Sequence, residues 1–99
     1  MSDMANVNDS NKSVELTFSN FVMGLATAAL SQLGIVEDPV TKEKGVNLVY
    51  ARQHIDTLTM LSTKTKSNLT AEEDQLLGQI LTDLRLRFVE VSSSENNQT

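Results

Sequence analysis

The chain has 99 residues, contains no cysteine and carries a formal net charge of −5 at pH 7. A chain of this length forms at most one small domain, and without cysteine it has no disulfide, thiolate nucleophile or Cys-type zinc site. The acidic balance argues against a general binder of nucleic acids or anionic membranes, because such proteins need a surplus of Lys and Arg.

Both ends of the chain are polar and lack helical periodicity. Residues 1–16 begin MSDMANVNDSNKS, without the basic start and apolar stretch of a secretory signal, and residues 92–99 read SSSENNQT. This composition predicts disordered tails. We therefore expect a single folded domain over residues 17–91 and a cytoplasmic location.

The first predicted helix runs from about Phe18 to Leu33. Thr17 or Ser19 is available as its N-cap, and Gly34 is placed to end it in the left-handed conformation. Helical spacing gathers an apolar stripe, too wide for one neighbouring helix to cover, which we take as the candidate contact surface between subunits. The stripe consists of Phe18, Phe21, Val22, Leu25, Ala29 and Leu33.

The opposite side of this helix is small and uncharged, and no charged residue occurs between Glu15 and Glu37. A membrane-spanning role is disfavoured because polar residues interrupt the segment and both of its flanks are acidic. Such a helix should be surrounded by protein, and a homodimer with C2 symmetry is the commonest solution. Peripheral association with a membrane through an exposed first helix stays open as an alternative.

Two further helices are predicted, over about Leu48 to Thr65 and about Ala71 to Val91, with no sustained alternation typical of a strand. Asn47 is a suitable cap for the second helix, and the pair Thr70 and Glu73 has the spacing of a capping box for the third. The fold class is therefore all-α: a helical hairpin with the apolar N-terminal helix packed across it, completed by homodimerisation.

The segment KTKSNLTAEED between these helices admits three interpretations: an anion-binding loop, a carboxylate metal site, or two helix ends. Lys64 and Lys66 suit the negative pole of one helix, and Glu72 and Asp74 suit the positive pole of the next. Consecutive helical carboxylates diverge from one another, which disfavours a metal site. Helix ends explain the segment best, and we predict no metal ligand, no cofactor and no catalytic residue.

A weak candidate polar site remains in His54, Asp56 and Asp83, together with Arg87. Asp56 lies two positions from His54, so the two side chains point in different directions on a helix. Asp83 and Arg87 have the favourable spacing of an ion pair within one helix, and the alternative is that Arg87 fixes an interface by reaching Asp56.

The segments FSNFVMGLATAALSQLG and HIDTLTMLSTKTKSNLTAEEDQLLGQILTDLRLRFVE, joined by a DP…NL connector, resemble the small bacterial proteins of the domain of unknown function 1844 family. The likeness extends from about Phe18 to Glu90. It implies a helical cytoplasmic protein of bacteria and carries no activity or cofactor. That family commonly has a glycine after Lys-Thr-Lys, where this chain has Ser67, and we expect Asn68 to take the left-handed conformation instead.

Two functions follow as expectations. The first is a non-enzymatic protein that acts through self-association and contacts with an unidentified protein partner. The second is a small-ligand or metal-binding protein with a site at a subunit interface near His54.

Overall fold

The computed structural model describes residues 15–96 of the chain. Within that range it contains three helices and no strand: α1 (Phe18–Gln32), α2 (Leu48–Lys64) and α3 (Ala71–Asn96). This confirms the predicted all-α class and the three helices. The predicted tails fall mainly on residues 1–14 and 97–99, which lie outside the described part of the chain.

The N-termini of the helices are fixed by the side chains that the sequence indicated. Thr17 caps α1, since its Oγ1 accepts a hydrogen bond of 3.0 Å from the amide of Asn20. Asn47 caps α2 in the same way. At α3 the capping box is complete: the amide of Thr70 donates to Glu73 Oε1 at 2.9 Å, and the amide of Glu73 donates to Thr70 Oγ1 at 3.0 Å.

Gly34 ends α1 in a left-handed conformation, with φ of 77°. Its amide donates to the carbonyl of Ser31, and the amide of Ile35 donates to that of Leu30, which is the bonding pattern of a Schellman motif. A β-carbon on Gly34 would also lie 3.0 Å from Val46 Cγ2. Both the backbone angle and the close approach of the next segment therefore favour glycine here.

The turn between α2 and α3 differs from the prediction. Ser67, and not Asn68, adopts the left-handed conformation, with φ of 68°. The amide of Asn68 donates to the carbonyl of Thr65 at 2.8 Å. The chain thus keeps the turn at the position where glycine was expected, and Ser67 bears a steric cost that glycine would not.

The end of α3 also differs from the prediction. The helix continues through Asn96, five residues beyond the expected end at Val91. Residues 92–99 contain no glycine or proline to stop a helix, and serine lowers helix propensity only slightly. Polar composition alone was therefore a poor indicator of a helix end.

The core lies where the three helices meet, and each helix packs against the other two. Most of the α1 stripe is turned into this core, which also contains the small side chains of Ala26 and Ala51. The buried hydrophobic residues are Val22, Ala26, Ala29 and Leu33 from the α1 segment, Ala51, Ile55 and Leu58 from α2, and Leu77, Leu81 and Leu84 from α3.

The core assignment predicts a contrast between two residues of α2. Leu58 is fully buried and Met60 is 47% exposed. We expect Leu58→Ala to lower the free energy of unfolding by about 2–5 kcal/mol, because it leaves a cavity. Met60→Ala should cost less than about 1 kcal/mol. Urea denaturation followed by circular dichroism measures both, and equal losses would contradict the assigned packing.

The turn at Ser67 predicts that Ser67→Gly stabilises the protein by about 1 kcal/mol, because glycine adopts positive φ without strain. The melting temperature should rise by roughly 4–8 °C for a domain of this size. Ser67→Ala is the control, since it keeps the β-carbon and should give no such gain. A melting temperature lowered by Ser67→Gly would show that the turn is not left-handed at this residue.

Candidate functional site

The apolar stripe predicted as a contact surface is mainly the core of the single chain. Val22 and Ala29 are fully buried and Leu33 is 2% exposed. Phe18 and Leu25 are partly buried against the core, and only Phe21 is exposed, at 47%. The stripe is covered within the chain because α2 and α3 together supply the width that a single neighbouring helix would lack.

The outer face of α1 carries no charge, as none of the 15 residues of this helix is ionisable. Met23 is 46% exposed on one flank of this face, and Phe21 lies on the other. Gly24, between them, has no atom within 4 Å of an ideal β-carbon. This face therefore offers a shallow, uncharged surface with apolar edges.

The outer face of α3 also exposes large apolar side chains, with Asp83 at its edge. Leu86 is 58% exposed on the side of the helix opposite the core, and Val89 is 60% exposed at the edge of the groove between α2 and α3. A shallow groove lies beside Leu86 and is formed by this one helix, with Gln75, Gly78, Gln79, Thr82 and Asp83 as its other lining residues. We did not identify this face from the sequence, although a glycine inside a helix and a leucine off the buried stripe were signals of it.

His54 connects α2 to the end of α1. Its Nδ1 lies 2.8 Å from Gln32 Oε1 and 3.0 Å from the carbonyl oxygen of Tyr50. A carbonyl oxygen only accepts, so Nδ1 carries the proton and donates to it. In the neutral ring, Nε2 is then the nitrogen with a free lone pair. This arrangement explains His54 as a half-buried structural tie between helices.

Two arginines flank a groove of about 340 Å³ between α2 and α3. Arg52 Nε lies 3.6 Å from Asp56 Oδ1, and its guanidinium carbon lies 6.0 Å from the centre of the Phe88 ring. Arg85 donates to Thr59 Oγ1 at 2.9 Å. Because Arg52 and Asp56 are both about two-thirds exposed, their ion pair contributes little to stability.

Arg87 pairs with Asp83 at 2.8 Å within α3. The predicted intrahelical pair is therefore present, and the alternative contact of Arg87 with Asp56 is not, since Asp56 pairs with Arg52. His54 bonds to neither of these pairs in the described part of the chain. Among residues 15–96, no group of three or more His, Asp or Glu side chains is placed to hold a metal ion.

A second cleft, of about 310 Å³, lies between the end of α1, the start of α2 and the loop that joins them. Asp38 organises that loop: its Oδ1 accepts hydrogen bonds from the amides of Val40 at 2.7 Å and Thr41 at 3.0 Å. The hydrogen bond from the Thr41 amide has the largest effect and the one from the Val40 amide the second largest. Both lower the pKa of the Asp38 carboxyl below its ordinary value of 3.8. The Asp38 carboxylate is therefore a structural part of this turn.

Comparison with known proteins gives one family. The family model described as Domain of unknown function (DUF1844) matches residues 15–90, about three quarters of the chain. No curated protein matches the chain, and no solved structure does. None of the helices in the described range is both long and apolar enough to cross a membrane.

The turn at Asp38 predicts a pH effect. Since the folded pKa lies below the unfolded value, the stabilising contribution is fully present above the unfolded pKa and disappears as pH falls through the folded one. Carbon-detected NMR titration should give a pKa below 3.8 for Asp38. Asp38→Asn keeps the acceptor and should remove this residue's share of the pH dependence. A pKa raised above the ordinary value would contradict the assigned hydrogen bonds.

Proposed function

The chain belongs to the family described as Domain of unknown function (DUF1844), and we propose that it is a non-enzymatic cytoplasmic protein that acts through self-association and contacts with other proteins. The observation that carries this proposal is the presence of large apolar side chains exposed on two helix faces, of which the α1 face has no ionisable residue. Phe21 and Met23 stand on α1, and Leu86 and Val89 stand on α3.

The absence of charge on α1 matters as much as the exposed apolar groups. Burying an unpaired charge in an interface costs free energy, and charged residues are depleted in the centres of protein interfaces. A face without ionisable groups avoids that penalty. The chain is acidic as a whole, with a net charge of −5, so an uncharged face is also where two copies repel each other least.

The small size of the domain supports self-association further. A domain of fewer than 100 residues buries only about 60–65% of the surface that its unfolded chain exposes, a smaller share than in larger domains, so its stability is modest. Burial of apolar surface contributes about 25 cal/mol per Å². A second copy that covers one exposed face would therefore stabilise the folded chain through binding.

The alternative function, a ligand or metal site near His54, has weaker support in the described residues. The polar groups proposed for it do not converge: His54 bonds to Gln32 and Tyr50, Asp56 pairs with Arg52, and Asp83 pairs with Arg87. Metal analysis of the purified protein and a thermal-shift screen test this alternative. A bound metal, or a ligand whose stabilisation is lost in His54→Ala, would favour it over self-association alone.

Self-association predicts that size-exclusion chromatography with light scattering gives twice the mass of one chain at micromolar concentration. The melting temperature should also rise with protein concentration, because association stabilises only the folded state. A well-folded monomer at micromolar concentration, with a melting temperature independent of concentration, would contradict the proposal.

A further inference from the structure

The outer face of α3 has a symmetry that is visible in its residue spacing. The exposed stripe continues in both directions from Thr82 by steps of four, three and four residues, so that each position has a counterpart at equal distance on the other side. The stripe is Ala71, Gln75, Gly78, Thr82, Leu86, Val89 and Ser93, and none of its members is charged.

This stripe contains both a hole and a knob. Gln75, Gly78, Gln79 and Thr82 are spaced as the four residues that form a hole in knobs-into-holes packing, and they line the groove on this face. The hole is open because Gly78 has no side chain and no atom lies within 4 Å of its ideal β-carbon. Leu86, the knob, is 58% exposed on the same face.

We infer that α3 pairs with the α3 helix of a second copy, antiparallel and about a C2 axis that passes beside Thr82. This inference rests on the proposed self-association and names its surface. Rotation about that axis places Leu86 of each copy at the level of Gly78 of the other. Each leucine then enters the hole of its partner, so the contact is isologous and closes on itself as a dimer.

The position of the axis favours a long contact. Thr82 lies near the middle of α3, so residues 71–93 of one copy run beside residues 93–71 of the other. At about 1.5 Å per residue, this pairing is roughly 34 Å long. Asp83, at the edge of the groove, already pairs with Arg87 and therefore brings no unpaired charge to the interface.

The pairing also leaves the folded chain unchanged. The residues of α3 that face the core are Leu77, Leu81 and Leu84, whereas Leu86 lies on the opposite side of the helix and Gly78 lies on an exposed flank. α1 presents no equivalent match. Its exposed Phe21 and Met23 are two residues apart and so point in different directions, and Gly24 has no leucine two turns away on the outer face.

Two matched substitutions distinguish the faces. Gly78→Leu fills the hole on α3, and Gly24→Leu adds the same side chain on α1. Both glycines are exposed, helical and free of atoms within 4 Å of the ideal β-carbon, and leucine has the higher helix propensity, so both variants should fold. We expect light scattering to show a monomer for Gly78→Leu and a dimer for Gly24→Leu.

A third variant tests the knob and provides a rescue. Leu86→Ala should weaken dimerisation at least ~10-fold, since two leucines are lost per dimer. In a mixture of Gly78→Leu with Leu86→Ala, a heterodimer can form from one chain of each variant. Leu86 of the Gly78→Leu chain then enters the open hole at Gly78 of the Leu86→Ala chain. The alanine of the Leu86→Ala chain lies opposite the filled hole. The mixture should therefore associate more strongly than either variant alone, as measured by light scattering or by fluorescence transfer between labelled chains.

The outcomes separate this inference from the proposed function. A wild-type dimer that is broken by Gly78→Leu but not by Gly24→Leu, with rescue in the mixture, supports both. If the wild type is a dimer and Gly78→Leu is still a dimer, the assignment of the interface to α3 is wrong, but the proposed self-association is still supported. Loss of the dimer in Gly24→Leu would then assign the interface to α1. A monomeric wild type at micromolar concentration overturns both.

Discussion

Burial of the α1 stripe by α2 and α3 is the contact on which the rest of the structure depends. Val22 and Ala29 are fully buried there, and Ala51, Leu58 and Leu77 of the same core cluster are each at most 1% exposed. A hairpin of two helices would leave its apolar face in water, and α1 removes that face from solvent. Because the apolar stripe of α1 is buried against α2 and α3, only the outer side of α1 and the outer faces of α2 and α3 are available for contacts with other molecules.

Much of this architecture could be predicted from the sequence because local chemistry specifies it. The caps at Thr17, Asn47 and Thr70 follow from side chains that accept hydrogen bonds from backbone amides three residues ahead. Gly34 follows from the need for positive φ at a helix end. These signals act over three to six residues, so the sequence contains all the information that they need.

Other features could not be predicted because they depend on what lies across space. Periodicity shows that Val22 and Leu33 belong to a buried face, but it does not distinguish a partner within the chain from a second copy. The left-handed turn at Ser67 is imposed by the geometry of the two flanking helices, against the residue's own preference. The end of α3 lacks a stop signal, and polarity was mistaken for one.

The residues considered for a functional site show the same contrast between local sequence signals and arrangements that depend on the fold. His54 and Asp56 were singled out because ionisable groups beside apolar faces often indicate chemistry, yet their hydrogen bonds and ion pair account for them structurally. The α3 face was missed because each of its residues is individually unremarkable to a search for reactive groups. These residues indicate an interface only when they are taken together: an open glycine, a leucine two turns away, and equal spacing about Thr82.

The natural absence of cysteine allows a direct measurement of this symmetry. Under a C2 axis beside Thr82, that residue meets its own copy, at the Cα separation of about 4.4–6.8 Å that a disulfide requires. Thr82→Cys should therefore give a disulfide-linked dimer under mild oxidation, whereas Thr27→Cys, also at an exposed position but on α1, should remain unlinked. Rapid and complete linking of Thr27→Cys, with Thr82→Cys left as free thiol, would contradict the account.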